Sequence, residues 1–221
     1  MDMDDVLVDI SPSLYSTIRK KWLKYNKWFA DLGPLTDIEV YSRPFFYVNE
    51  WLIKSVAKGL PPAAYTDLQI AINKELVKDF FSVDFYKTLS PTTLAKRTLM
   101  NKFYIDSPEV TKVYIITKYV DDAMIQYKKN FIEKYFKSNK IEVLLVPKGE
   151  SKADLIKEKG IEWNLLIDDE LSNIKDFSEK FNLTDKEFLL PRYGYNKMPA
   201  YLSILIKGKG GAFTYYDPTE K

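Results

Sequence analysis

The chain has 221 residues and a formal net charge of +2, from 33 basic and 31 acidic side chains spread along its length. This near balance gives no electrostatic argument for nucleic-acid binding. The chain contains no Cys and no His, which excludes disulfides, thiol catalysis, Ser-His-Asp chemistry and imidazole metal ligands. Any chemistry must come from carboxylates, Lys, Arg, Tyr, hydroxyls and backbone groups, and carboxylates favour hard cations such as Mg²⁺.

No apolar run approaches the ~20 residues that cross a bilayer. The chain opens with acidic residues rather than with the basic segment of a signal peptide. We therefore expect a cytoplasmic protein with no membrane segment. The hydrophobic content of 46% indicates a packed globular fold.

The N-terminal segment carries two carboxylates, Asp2 and Asp4, which face the same way if the chain is extended. A frayed acidic terminus is the simplest interpretation of such a segment. The apolar run 6–8 and the helix start at Ser11-Pro12, which combines an N-cap residue with proline in the first turn, favour an ordered segment instead.

Residues 11–104 have the apolar spacing of helices and are rich in aromatic side chains. The predicted helices cover about 12–31, 45–57, 65–81 and 90–101, and one more helix is predicted to begin near 36–37. Packing between helices is the preferred explanation for the aromatic residues.

From residue 110 onward the pattern alternates between strands and helices. The predicted strands are Val113–Ile116, Ile141–Val146, Leu165–Ile167 and Glu187–Leu190, and the helices are 121–138, 151–159 and 171–181. Uninterrupted apolar strands that alternate with helices predict a parallel sheet covered on both faces. In the tail, 202–206 and 212–216 flank a glycine-rich segment, which predicts a hairpin or a flexible loop.

Several reactive side chains fall where parallel strands end, and ligands bind at that edge of such sheets. Thr117 follows one strand, Asp168 and Asp169 follow another, and Lys152 begins the helix after a third. Each has a plain structural alternative: Thr117 or the aspartates could cap helices, and Lys152 could be a solvated surface residue. Their occurrence together favours phosphoryl transfer, in which carboxylates bind Mg²⁺ or attack phosphorus while Lys and Thr hold phosphate oxygens.

These residues occur in an order that resembles the haloacid dehalogenase-like phosphatases, most closely the 5'(3')-deoxyribonucleotidase type. The segment 2–7 (DMDDVL) is similar to the family's first motif, with Asp5 where many relatives carry Gly. Thr117, Lys152 and Asp168-Asp169 are similar to the second, third and fourth motifs. The resemblance implies an α/β fold: a doubly wound, Rossmann-like parallel sheet core of residues 1–10 and 105–221, with an all-helical cap of residues 11–104 inserted after the first motif.

The resemblance also implies roles for the acidic residues. Asp2 would be the nucleophile that becomes an aspartyl-phosphate, and Asp4 the general acid and base. Asp168, Asp2 and the Asp4 carbonyl would hold Mg²⁺, with Asp169 assisting. The phosphate-binding candidates are Thr117, Lys118 and Lys152.

We therefore expect a magnesium-dependent phosphomonoester hydrolase acting on a small substrate such as a nucleoside 5'-monophosphate. Candidate substrate contacts in the cap are Arg43, Phe46 and Tyr47, although cap packing explains them equally well. Polynucleotide ends are a disfavoured substrate because of the near-neutral charge. The alternative is an inactive or truncated relative that binds a phosphorylated ligand or a partner protein, since only Met1 precedes Asp2 where the family has a central strand.

Overall fold

The computed structural model describes residues 1–10, 83–192 and 197–217. The helices predicted between residues 11 and 82, and with them Arg43, Phe46 and Tyr47, lie outside the described residues. The chain divides into two compact units, one formed by Met1–Val8 with Ser90–Lys221 and the other by Asp9–Leu89. Residues 90–104, which the sequence pattern placed in the insertion, belong to the first of these units.

The described part of the second unit includes the helix α1 (Val83–Lys87). The helices and strands described in the first unit are, in chain order, α2 (Thr93–Arg97), α3 (Lys102–Ile105), β1 (Val113–Tyr119), α4 (Asp122–Tyr135), β2 (Ile141–Pro147), α5 (Lys152–Glu158), β3 (Leu165–Ile167), α6 (Leu171–Lys180), β4 (Glu187–Pro191), α7 (Ala200–Gly208) and β5 (Ala212–Tyr216). The single helix predicted over 90–101 is wrong in its extent. Asn101 caps a separate helix, α3, by accepting a hydrogen bond from the Phe103 amide at 3.1 Å.

The strands form two parallel sheets, β1-β2 and β3-β4-β5. β1 pairs with β2 from Val113 opposite Ile141 onward, and β3 pairs with β4 from Leu165 opposite Glu187. Helices connect successive strands throughout this region. Parallel strands joined by helices confirm the α/β class that the apolar runs predicted.

The N-terminal dipeptide lies between the two sheets. The Met1 nitrogen donates to the Tyr114 carbonyl at 2.8 Å, and the Ile116 amide donates to the Met1 carbonyl at 2.8 Å. On the other side, the Asp2 amide donates to the Ile167 carbonyl at 2.7 Å. Met1 and Asp2 therefore join the edge of β1 to the edge of β3 in the manner of a parallel strand.

The tail differs from the hairpin predicted for it. Residues 202–206 belong to the helix α7, whose Leu202 and Ile206 are both buried, and β5 pairs in parallel with β4. The reason lies in the spacing, because Leu202 and Ile206 are four residues apart and share one face of a helix. Gly210, at φ +81°, falls in the turn between α7 and β5, where a left-handed conformation suits glycine.

Aromatic rings fill the centre of the core between α6 and β4. Phe177 is 1% exposed, and its ring lies 5.5 Å from that of Trp163 in an edge-on arrangement and 5.5 Å from that of Phe181 in a stacked one. Such pairs add to the stabilisation from buried apolar area. In the described parts of the chain, no helix is both long enough and apolar enough to span a bilayer.

Replacing Phe177 with Ala should destabilise the first unit by about 3–5 kcal/mol, because it leaves a cavity within the aromatic cluster. Urea denaturation followed by circular dichroism measures this. Phe103→Ala is the matched control, because the Phe103 side chain is 95% exposed and its loss should change the free energy of unfolding by less than about 0.5 kcal/mol. Equal effects of the two substitutions would contradict the position of the core.

Candidate active site

Asp2 is held at the point where the two sheets meet. The residue is 8% exposed, and its Oδ1 accepts a hydrogen bond from the Met3 amide at 2.6 Å. The backbone on both sides is tied to β1 and β3 by the contacts described above. These contacts therefore hold the Asp2 residue in a fixed position.

Lys152 joins two carboxylates that come from distant parts of the sequence. Its ammonium lies 2.8 Å from Oδ2 of Asp2 and 2.9 Å from Oδ2 of Asp168, and its side chain is only 2% exposed. Lys152 is the first residue of α5, after Ser151, which caps the helix through the Asp154 amide. The structure thus excludes the alternative of a solvated surface lysine.

Burial and the neighbouring charges shift the pKa values of Lys152 and Asp168. Burial acts to lower the pKa of Lys152, but the ion pairs with Asp168 and Asp2 outweigh it and raise that pKa above its ordinary range. Burial raises the pKa of the Asp168 carboxyl, an effect that Lys152 opposes. A buried carboxylate pair of this kind depends on the cation between its members.

Asp168 is completely buried and receives further hydrogen bonds. The side-chain amide of Asn173 donates to its two carboxylate oxygens at 3.0 and 3.1 Å, and the Glu170 amide donates to Oδ1 at 2.9 Å. The N-cap of α6 is Glu170, which makes no side-chain capping bond. Asp168 and Asp169 therefore do not serve as the N-cap of this helix, which was the plain alternative for the pair.

Three carboxylates converge at the end of β3. Oxygens of Asp2, Asp168 and Asp169 all lie within 4.8 Å of one another. Burial raises the pKa of the hydroxyl of Tyr216, at the end of β5, and the negative charge of Asp169 raises that pKa further. Hard oxygen donors this close together match the ligand set that Mg²⁺ takes in proteins.

A tight turn carries Asp4 next to this group. The amides of Leu7 and Val8 both donate to the Met3 carbonyl at 2.9 Å, and Asp5 has φ +52°. That left-handed conformation favours glycine and is tolerated by aspartate, which suits Asp5 to this turn. The turn is anchored by Thr92, whose hydroxyl donates to the Val6 carbonyl at 2.7 Å.

Thr117 and Asp4 are connected through a lysine of α4. Lys128, 1% exposed, donates to Oδ2 of Asp4 at 2.7 Å, to Oγ1 of Thr117 at 2.6 Å and to the Lys118 carbonyl at 2.9 Å. Thr117 is fully buried and does not cap α4, since Asp121 does so through the Met124 amide. The Lys118 ammonium points to Oδ1 of Asn173 at 3.4 Å.

The structure therefore brings together Asp2, Lys152, Asp168 and Asp169, and separately links Asp4 to Thr117. Sequence reasoning missed Lys128 and Asn173. A signal for Lys128 was available: it lies four residues after Met124 and four before Ile132, both buried, so it occupies the core-facing side of α4. Asn173 lies in the first turn of α6, five residues after Asp168, and nothing in the sequence distinguishes it from an ordinary surface amide.

Comparison of the chain with protein-family models, with curated proteins and with solved structures finds no match.

Replacing Lys152 with Met should destabilise the protein by about 3–5 kcal/mol at neutral pH, because it leaves Asp2 and Asp168 buried without a counter-charge. Without Lys152, the pKa of Asp168 in the folded protein rises further above its value in the unfolded chain. Because the folded variant then binds a proton more readily than the unfolded chain does, its loss of stability relative to wild type should shrink as the pH falls toward 5. Urea denaturation at both pH values, with EDTA present, measures it.

Lys157→Met is the control, since Lys157 lies on the exposed side of the same helix. It should alter stability by less than about 0.5 kcal/mol at either pH. A Lys152→Met variant whose deficit did not change with pH would contradict the ion pairs described here.

Proposed function

We propose that this protein is a magnesium-dependent phosphomonoester hydrolase of the haloacid dehalogenase-like type, working through an aspartyl-phosphate. One observation carries the proposal: Asp2, Lys152 and Asp168 come from three separate segments and meet within hydrogen-bonding distance in a buried site. The family resemblance gives each of these residues a role, and the two ion pairs that join them support the proposal.

The fold gives a second line of support. With the Met1–Asp2 dipeptide counted as a strand, the hydrogen bonds give the order β2-β1-dipeptide-β3-β4-β5. This order supports the proposed doubly wound core, a fold in which ligands bind at the point where the strand order reverses direction. In this proposal Asp2 and Asp168 lie at that point. In this proposal the unit Asp9–Leu89 is the cap inserted after the first motif.

Residues of the chain supply the steps of the reaction. An oxygen of Asp2 attacks phosphorus, and the bond from phosphorus to the leaving oxygen breaks as Asp4 donates a proton to that oxygen. Asp4 then takes a proton from water, and the resulting hydroxide displaces the Asp2 carboxylate to release inorganic phosphate. Thr117, Lys118 and Lys152 bind phosphate oxygens and balance their charge.

The carboxylates of Asp2, Asp168 and Asp169 would hold Mg²⁺, together with the Asp4 carbonyl. Their oxygens are close enough for a shared cation, and all are hard donors. The ion, when bound, supplies positive charge that offsets repulsion between the phosphate and the nucleophile.

The proposed substrate is a small phosphorylated molecule such as a nucleoside 5'-monophosphate. The net charge of +2 supplies little attraction for a long polyanion, which disfavours nucleic-acid ends. Arg43, Phe46 and Tyr47 remain predicted substrate contacts.

The wild-type chain should release inorganic phosphate from nucleoside monophosphates when Mg²⁺ is present and lose this activity in EDTA. Asp2→Asn, which keeps the shape of the side chain and removes the nucleophilic charge, should reduce kcat by about 10³-fold or more. A colorimetric assay for phosphate measures both effects.

Asp122→Asn is the matched control, because Asp122 is exposed on the first turn of α4 and should leave the rate unchanged. Thermal unfolding with Mg²⁺ and a nucleotide adds a second readout, since a ligand that binds the folded state raises Tm. Stabilisation by both ligands without phosphate release would favour the alternative of an inactive binding protein.

A further inference from the structure

Lys128 is a charged residue that the reaction outlined above does not use. It projects from the middle of α4 into the interior and is 1% exposed. Burying an ammonium group is costly unless hydrogen bonds and opposite charge compensate it. Such a residue is retained in a core only where its contacts are satisfied.

The contacts of Lys128 account for its whole hydrogen-bonding capacity. An ammonium group has three N–H donors. Oδ2 of Asp4, Oγ1 of Thr117 and the Lys118 carbonyl accept from it at 2.7, 2.6 and 2.9 Å. Since all three donors are committed, Lys128 is not arranged to bind a substrate phosphate itself, unlike Lys152 or Lys118.

These contacts determine which atoms of its neighbours are already engaged. Because Oγ1 of the buried Thr117 accepts from Lys128, its hydroxyl hydrogen does not point toward that ammonium. Because Oδ2 of Asp4 is held, Oδ1 is the oxygen left for proton transfer. The Asp4 side chain is 45% exposed, whereas that of Lys128 is 2% exposed. The buried Lys128 ammonium therefore holds one oxygen of a half-exposed carboxylate.

We infer that Lys128 is a positioning residue of the proposed phosphatase: it fixes Asp4 for proton transfer without contacting the substrate. The inference rests on the proposed function and deepens it by naming the residue that holds the general acid. The proton that Asp4 delivers matters most when the leaving oxygen is strongly basic. Loss of Lys128 should therefore have an effect that depends on the leaving group.

The test compares two substrates. A nucleoside 5'-monophosphate is the alkyl ester, and p-nitrophenyl phosphate is the aryl ester, whose phenolate leaves without help from an acid. Lys128→Met should lower kcat/KM, which reports the step in which the leaving group departs, by about 10²-fold for the alkyl ester and by less than about 10-fold for the aryl ester. Lys129→Met is the matched control on the neighbouring exposed position and should leave both rates unchanged. Asp4→Asn should show the same preference for the aryl ester.

The double variant Asp4→Asn with Lys128→Met identifies the route of the effect. If Lys128 acts through Asp4, the second substitution should add little to the loss that Asp4→Asn already causes with the alkyl ester. If circular dichroism shows that Lys128→Met does not fold, Lys128→Gln, which keeps a hydrogen-bond donor, serves for the same comparisons.

Equal losses with the two esters, or fully additive losses in the double variant, would overturn the role given to Lys128 while leaving the phosphatase intact. An inactive wild-type chain would instead overturn the proposed function, and the inference would fall with it.

Discussion

The rest of the site depends on the ion pairs that the Lys152 ammonium makes with Asp2 and Asp168. Asp2 and Asp168 approach the same ammonium, and two buried carboxylates that close repel each other strongly when nothing lies between them. The backbone ladder from β1 through the N-terminal dipeptide to β3 brings the two residues together. A cation between them makes that arrangement tolerable, and Asn173 and the Glu170 amide satisfy the remaining oxygen atoms of Asp168.

This arrangement explains why some parts of the site were predictable from the sequence. Thr117 and Asp168 each follow an apolar run, and parallel strands place such positions at one edge of a sheet whatever the details of packing. The first residue of α5 is similarly fixed by the turn and cap that precede it. The local pattern therefore predicts that Thr117, Lys152 and Asp168 lie near the same edge.

The parts that could not be predicted depend on long-range contacts. The spacing of buried residues in α4 indicates that Lys128 faces the core, but its partner Asp4 lies 124 positions away along the chain, and no local pattern indicates that pairing. The tail shows the same limit for the fold, because glycines between two apolar runs suit either a hairpin or a helix-to-strand turn. Burial of Leu202 and Ile206 on one face of α7 decided between them. The helices predicted for residues 11–82 remain predictions.

The pairing of Val8 with Pro91 has a consequence for how this architecture can change. The chain leaves the first unit just after Val8 and returns at Ser90, and an antiparallel bridge holds those two points side by side. Because the entropy of closing a loop grows only slowly with its length, a segment of almost any size can be spliced between such neighbouring ends at little cost to the strands. Both sheets and the carboxylates at their edges would thus be preserved if the intervening 81 residues, Asp9–Leu89, were exchanged or shortened.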